Sequence, residues 1–209
     1  MGNGVSSPRM AFSAVAELVK ITRPEFYRLR NKCLDLTTRT SPHKPNDEKN
    51  LILSRSNFIS VMKEMQMDRT DIDIFTNLFD MWDKSGSNGV DLLLFLSCIA
   101  PLASTLDIFT KLQFSFEVFD VHKTGRLIYN DAIQILEGIN ATASYFGDPV
   151  VEPRMIGMVV DDIYQDQTEL YYMEILDLIC EHEVVFQFAN ASGTMRFGGV
   201  QREAMPTRP

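Results

Sequence analysis

Apolar residues recur every three or four positions along most of the chain, and short polar stretches separate the runs. Phe26, Leu29, Cys33 and Leu36 step at helical spacing. Thr22-Arg-Pro-Glu25 just before them reads as a capping box: Thr22 accepts from first-turn amides, Glu25 reaches back, and Pro24 needs no donor there. An earlier helix is expected over Met10, Val15, Leu18, Val19 and Ile21, after a small, polar stretch at 1–9 expected to lack fixed structure. Thr37 to Asn50, with Pro42 and Pro45, reads as a loop. Helices follow from about Arg55 to Met65, through Phe58, Val61 and Met62, and from about Thr70 to Trp82, through Phe75, Leu78 and Phe79.

After the polar turn Asp83–Gly89, Leu92 to Ala100 are mostly apolar and Pro101 ends or interrupts that helix. Ser104-Thr-Leu-Asp107 is a second capping-box pattern, opening a helix through Phe109, Leu112, Phe116 and Phe119. Another polar turn, Asp120 to Arg126, precedes Ile133, Ile135, Leu136 and Ile139. Residues 140–153 read as a loop, Met155–Tyr164 and Leu170–Phe188 as the last helices, and Ala189–Pro209 as an irregular tail. The unit helix, polar loop, helix therefore occurs four times at intervals of roughly 35–50 residues. This predicts an all-α fold of four units in two paired lobes, divided as 1–21, 22–102, 103–188 and 189–209.

Composition refines this picture without overturning it. With 45% hydrophobic and 23% charged residues, the 209-residue chain has enough apolar material for a core. No apolar run approaches the roughly 18 residues of a membrane span, and the first residues lack a secretory signal pattern. Cys33, Cys98 and Cys180 lie far apart, which reads as a reduced, intracellular, cytoplasmic chain with buried thiols. The net charge of −8 is unevenly spread, with basic residues in excess over residues 1–60 and acidic ones beyond. An acidic body argues against nucleic-acid binding. The basic N-terminal quarter suits an acidic partner surface or an anionic membrane leaflet.

The polar turns carry the candidate chemistry. A hard cation in a 12-residue loop takes oxygens from positions 1, 3, 5, 7 and 9, needs a left-handed turn at 6, and is closed by a bidentate glutamate at 12. Position 8 is apolar and pairs with a partner loop. In the segment from Asp83 to Leu94, Asp83, Ser85, Ser87, Gly89 and Asp91 fall at the five ligand positions and Val90 at position 8. Asn88, which tolerates a left-handed backbone, stands at the turn. Leu94 at position 12 offers no oxygen, which makes this site vestigial. From Asp120 to Asp131 the ligand positions are Asp120, His122, Thr124 and Arg126, with Gly125 at the turn, Leu127 at position 8 and Asp131 closing. Aspartate is one methylene shorter than glutamate and suits Mg2+ better than Ca2+, while imidazole is a poor ligand for either. Weak Ca2+ or Mg2+ binding is the expectation there. Leu36 to Ser54 carries no ligand ladder. In the last unit Leu170 and Glu174 have the spacing of positions 8 and 12, but Ile163 at position 1 cannot ligate.

Leu78-Phe-Asp-Met-Trp-Asp-Lys-Ser-Gly and Phe116-Glu-Val-Phe-Asp-Val-His-Lys-Thr-Gly-Arg-Leu resemble the second and third EF-hands of the calcineurin-B, neuronal-calcium-sensor and calaxin group. The resemblance covers about residues 22–188. The overlong first loop before Leu53-Ser-Arg-Ser-Asn-Phe58 and the Phe-Glu-Val-Phe-Asp run at 116–120 look most like calaxin and the outer-dynein-arm docking proteins of cilia. Those proteins usually keep working loops, and this chain departs from them there. The resemblance implies four EF-hand units with degenerate loops, and an adaptor of a cilium or flagellum axoneme. Its partner is expected to be an amphipathic or coiled-coil helix.

Met1-Gly-x-x-x-Ser6 matches the N-myristoylation pattern at Gly2, and a membrane contact through the N-terminus would need a second signal such as the basic stretch Arg9–Lys32. Met62, Met65, Met67, Met155 and Met158 are candidates for an adaptable groove, although core packing is the commoner use of methionine. His43, His122 and His182 accompany no nucleophile pattern, and no phosphate- or dinucleotide-binding motif occurs, so no enzyme is expected. His182, between two glutamates, is expected on a helical surface. Two functions remain: a constitutive, non-catalytic adaptor, and a calcium or magnesium sensor recruited to membranes by Gly2.

Overall fold

The computed structural model describes residues 19–40, 51–104, 108–146 and 151–182. Its elements are α1 (Arg23–Thr40), β1 (Ile52–Ser54), α2 (Arg55–Glu64), α3 (Arg69–Trp82), β2 (Gly89–Asp91), α4 (Leu92–Ile99), a 3-10 turn at Ala100–Ala103, α5 (Ile108–Phe119), β3 (Arg126–Ile128), α6 (Tyr129–Tyr145), α7 (Pro153–Tyr164), β4 (Glu169–Tyr171) and α8 (Tyr172–Glu181). The described residues are mostly helical, as the periodicity predicts.

Local chemistry explains where the helices begin. At α1, the Thr22 amide and hydroxyl donate to Glu25 Oε2 at 2.9 and 2.7 Å, while the Glu25 amide donates back to Thr22 Oγ1 at 3.4 Å. This is the reciprocal box read from the sequence. Ser54, Asp68 and Asp91 each accept one orphan amide of α2, α3 and α4, from Asn57, Thr70 and Leu94. Pro153 opens α7, where its missing N–H costs nothing. Asp107, of the box expected at Ser104, lies outside the described residues.

Several boundaries differ from expectation, each for a tertiary reason. Helix α1 runs on to Thr40, and Thr37 within it is buried. Helix α6 continues through Tyr145 because Thr142 and Ala143 are buried, with the Thr142 hydroxyl donating to the Gly138 carbonyl at 2.9 Å. Leu170 belongs to a strand, and the last helix starts at Tyr172. The chain from Val19 to Thr22 is irregular where the end of a first helix was expected. Its amides go to a buried carboxylate instead: Asp71 accepts from Lys20 at 3.0 Å and Ile21 at 2.8 Å.

Strands β1 and β2 pair antiparallel with Leu53 opposite Val90, and β3 and β4 pair with Leu127 opposite Leu170. Each ladder thus joins two helix–strand–helix units through buried apolar residues. The Tyr164 hydroxyl braces the second ladder by donating to the Leu127 carbonyl at 3.0 Å. The ladders are two, but the core is one. A single cluster of buried side chains runs from Phe26 on α1 to Ile179 on α8. At its middle, Gly138 of α6 lets the helices approach: a Cβ there would overlap Cys98 Sγ and the Trp82 ring.

Helix α1 also locks the first half to the second. The Phe26 and Phe114 rings meet edge to face at 5.6 Å, and the Arg23 guanidinium lies 4.4 Å over Phe114. Glu117 of α5 accepts from the Tyr27 hydroxyl at 2.6 Å and from Arg23 at 3.2 Å. Arg30 donates to the carbonyls of Glu117 and Val118, satisfying the C-terminal end of α5. Burial, then the bond to Glu117, pushes the Tyr27 hydroxyl up to about 12, so it stays a donor at every physiological pH.

Candidate functional site

The two polar turns form the same small structure. In the turn after α3, Asp83 Oδ1 accepts from the Ser87 amide at 3.0 Å and from the hydroxyls of Ser85 and Ser87 at 3.0 and 3.2 Å. Its Oδ2 accepts from the Asn88 amide at 2.6 Å. In the turn after α5, Asp120 Oδ1 accepts from the Thr124 amide at 2.9 Å and its hydroxyl at 3.1 Å, and Oδ2 from the Gly125 amide at 2.7 Å. The residue after the nest is left-handed in both, Asn88 at φ 58° and Gly125 at φ 71°. Asparagine was the residue whose side chain tolerates that backbone.

These bonds gather most of the expected ligand residues. Ser87 Oγ reaches the Gly89 carbonyl at 3.3 Å, and Thr124 Oγ1 reaches the Arg126 carbonyl at 3.5 Å. Desolvation pushes the Asp83 carboxyl up, but the hydrogen bonds from Ser85, Asn88 and Ser87 outweigh it and hold it below the usual carboxylate range. Asp91 is aimed elsewhere: its Oδ1 caps α4 through the Leu94 amide at 2.8 Å. Burial, with the negative charge of Asp131, raises the Asp91 carboxyl. The Arg126 side chain turns to β4, pairing with Glu169 at 3.0 Å and lying 4.1 Å over the Tyr171 ring. His122 is exposed, and Asp131 sits partly buried in the first turn of α6.

The donor set of the first loop does not fit Ca2+. Leu94, at the closing position, is partly buried against the core and carries no oxygen. The second loop has two carboxylates, Asp120 and Asp131, with Thr124 Oγ1 and the Arg126 carbonyl between them in sequence, and fits a small hard cation incompletely. Among the described residues no group of three or more His, Cys, Asp or Glu is placed to hold a metal ion.

The other candidates separate. Met65 and Met67 line a surface depression of about 390 Å³ between α1 and the α2–α3 turn, whose charged rim is tied by Lys20–Asp68 at 2.8 Å and Lys32–Glu64 at 2.5 Å. Met62 is in the core, not on a groove, while Met155 and Met158 belong to α7 of the other ladder. The five methionines do not line one surface. His182 is not helical: it terminates α8 in an extended conformation, partly buried, with Nε2 3.1 Å from Asp162 Oδ2. Cys33 and Cys98 are buried free thiols, and burial pushes Cys33 up to about 12. Gly2 and the side chain of Cys180 lie outside the described residues. No described helix is long and apolar enough to cross a membrane.

No family model and no curated protein matches the chain.

Sequence reasoning missed Leu53 as the partner of Val90, because no ligand ladder precedes it. It also missed the Arg23–Tyr27–Arg30 grip on Glu117. The only local signal for that grip was a polar, cationic side to the α1 stripe, which a solvated helix face also shows.

Proposed function

We propose that the chain is a non-catalytic adaptor of four EF-hand units with degenerate loops, which holds a helical partner in a constitutive complex. The placement in a ciliary or flagellar dynein-docking assembly is part of the same reading and rests on the resemblance of the overlong first loop before 53–58 and of the run at 116–120. One observation carries the metal-independent part. The first carboxylate of each loop is engaged by its own loop's amides and hydroxyls, and Leu94 fills against the core where a cation's closing ligand would stand. Helix pairing then draws on the two ladders and the continuous core, neither of which needs an ion.

The second reading, a Ca2+ or Mg2+ sensor, is favoured only by the two carboxylates Asp120 and Asp131 of the second loop. Calorimetric titration of the purified chain with each cation separates the two. The adaptor reading expects no Ca2+ dissociation constant below about 10 µM; a tighter one, abolished by Asp120→Ala, establishes the sensor. Membrane recruitment through Gly2 belongs to that second reading, and intact mass after co-expression with a myristoyl transferase tests it.

A further inference from the structure

The joint between α1 and α5 holds a buried charge that meets no carboxylate directly. Arg30 is 9% exposed. Its guanidinium donates to the carbonyls of Glu117 and Val118 at 3.1 and 3.3 Å and to Asn31 Oδ1 at 3.1 Å, and lies 5.1 Å from the centre of the Tyr27 ring. Among the described residues none of these partners is an anion. The nearby Glu117 carboxylate is taken by Tyr27 and Arg23 through Oε2 and by Gln113 through Oε1. A buried guanidinium keeps its proton and needs compensating negative charge. The C-terminal carbonyls of α5 supply part of it. Burial lowers the Arg30 guanidinium, and the charges of Tyr27 and Asp120 act against that. The Tyr27 hydroxyl, held up to about 12, is neutral at physiological pH, which leaves Asp120.

Asp120 is placed for that part. Its amide donates to the Phe116 carbonyl at 2.9 Å, so it continues the last turn of α5, just past the two carbonyls that Arg30 holds. The same carboxylate is the first ligand position of the second loop. A divalent cation there brings like charge up to a guanidinium that neither loses its proton nor moves off without stranding two carbonyls. Lys123 and Arg126 are also cations of this loop, but both are exposed and screened by water and salt. We propose that Arg30 is the resident counter-cation of the Asp120 loop and lowers its affinity for divalent cations, so that cation binding there and the α1–α5 joint oppose each other. This rests on the adaptor reading and deepens it. The second loop resists metal through a residue of α1 as well as through its own ligand set.

The test is an NMR titration of the full chain with MgCl2 at fixed ionic strength, following the Thr124 and Gly125 amides. Arg30→Gln keeps a donor for the carbonyls and removes the charge; it is expected to bind Mg2+ about three- to thirtyfold more tightly than the parent. Arg30→Lys keeps the charge and is expected to stay within about twofold of the parent. So is Arg28→Met, which removes a charge exposed to 69% from the same helix. Adding Asp120→Ala to Arg30→Gln is expected to abolish the gain. If Arg30→Gln does not fold, the parent alone decides: Mg2+ is expected to shift the Arg30 Nε–H resonance with the same midpoint as the Gly125 amide, and an unmoved Arg30 resonance overturns the proposal. Unchanged affinity in Arg30→Gln, an equal gain in Arg30→Lys, or a gain that survives Asp120→Ala overturns it as well, and leaves the adaptor reading standing. A parent Ca2+ dissociation constant below about 10 µM removes the adaptor reading instead.

Discussion

The loops 83–94 and 120–131 share a first carboxylate, a left-handed sixth residue and an apolar eighth, and they differ at the twelfth. In the first, Leu94 packs against the core; in the second, Asp131 keeps a carboxylate. The common part is the part that shapes the backbone: the aspartate nest, the turn and the pairing residue. The differing part is the one only a cation requires. This loop geometry therefore stands whether or not the twelfth residue offers an oxygen, and Leu53 opposite Val90 makes the same point, because β1 pairs with no ligand sequence before it.

The largest effects are expected at the pairing residues. Leu53→Ala and Leu127→Ala each remove a buried side chain from a ladder and should cost about 2–5 kcal/mol. With one continuous core, chemical unfolding of either variant should remain a single transition seen alike by fluorescence and circular dichroism; two separated transitions would show that the ladders stand independently. Next in size is Gly138→Val. Its branched side chain must displace Cys98 and Trp82, at a cost of about 1–3 kcal/mol by overpacking, read as a lower denaturant midpoint.

Smaller effects are expected within the first loop. Asp91→Ala removes the α4 cap and should cost about 1 kcal/mol, whereas Asp91→Asn keeps the cap, sheds the repulsion with Asp131, and should melt at or slightly above the parent temperature. Asp83 and Asp91 also respond oppositely to pH. The Asp83 carboxyl is depressed in the folded chain, so its contribution is present above the unfolded value and lost as pH falls through the folded one. The Asp91 carboxyl is raised, so its contribution is full below the unfolded value and lost as pH rises through the folded one. Melts from pH 3 to 7 should show Asp83→Asn flattening the acid loss of stability and Asp91→Asn removing a gain on acidification.

Much of the fold was legible in the sequence for reasons that are local. The Thr22–Glu25 box, the aspartate turns and the apolar eighth positions act within a few residues, so pattern alone finds them. The ends of α1 and α6 were not legible, because Thr37 and Thr142 look like loop residues until tertiary packing buries them. Nor was the joint at Glu117, which joins residues about 90 positions apart. For the candidate site, the polar turns opened by Asp83 and Asp120 were readable, and the amide nests around their carboxylates were not. The diversion of Asp91 to a helix cap was not, since the same spacing serves a ligand equally well.

That the paired helices stand without metal is tested most directly by thermal unfolding of the full chain in excess chelator and again in 1 mM Ca2+. One cooperative transition is expected in both, with midpoints within about 1 °C. A site in the sensor range, near 10 µM, would add about 2.7 kcal/mol at that concentration and raise the midpoint by roughly 5–10 °C. A rise of that size, or the absence of a cooperative transition in chelator, would contradict the claim.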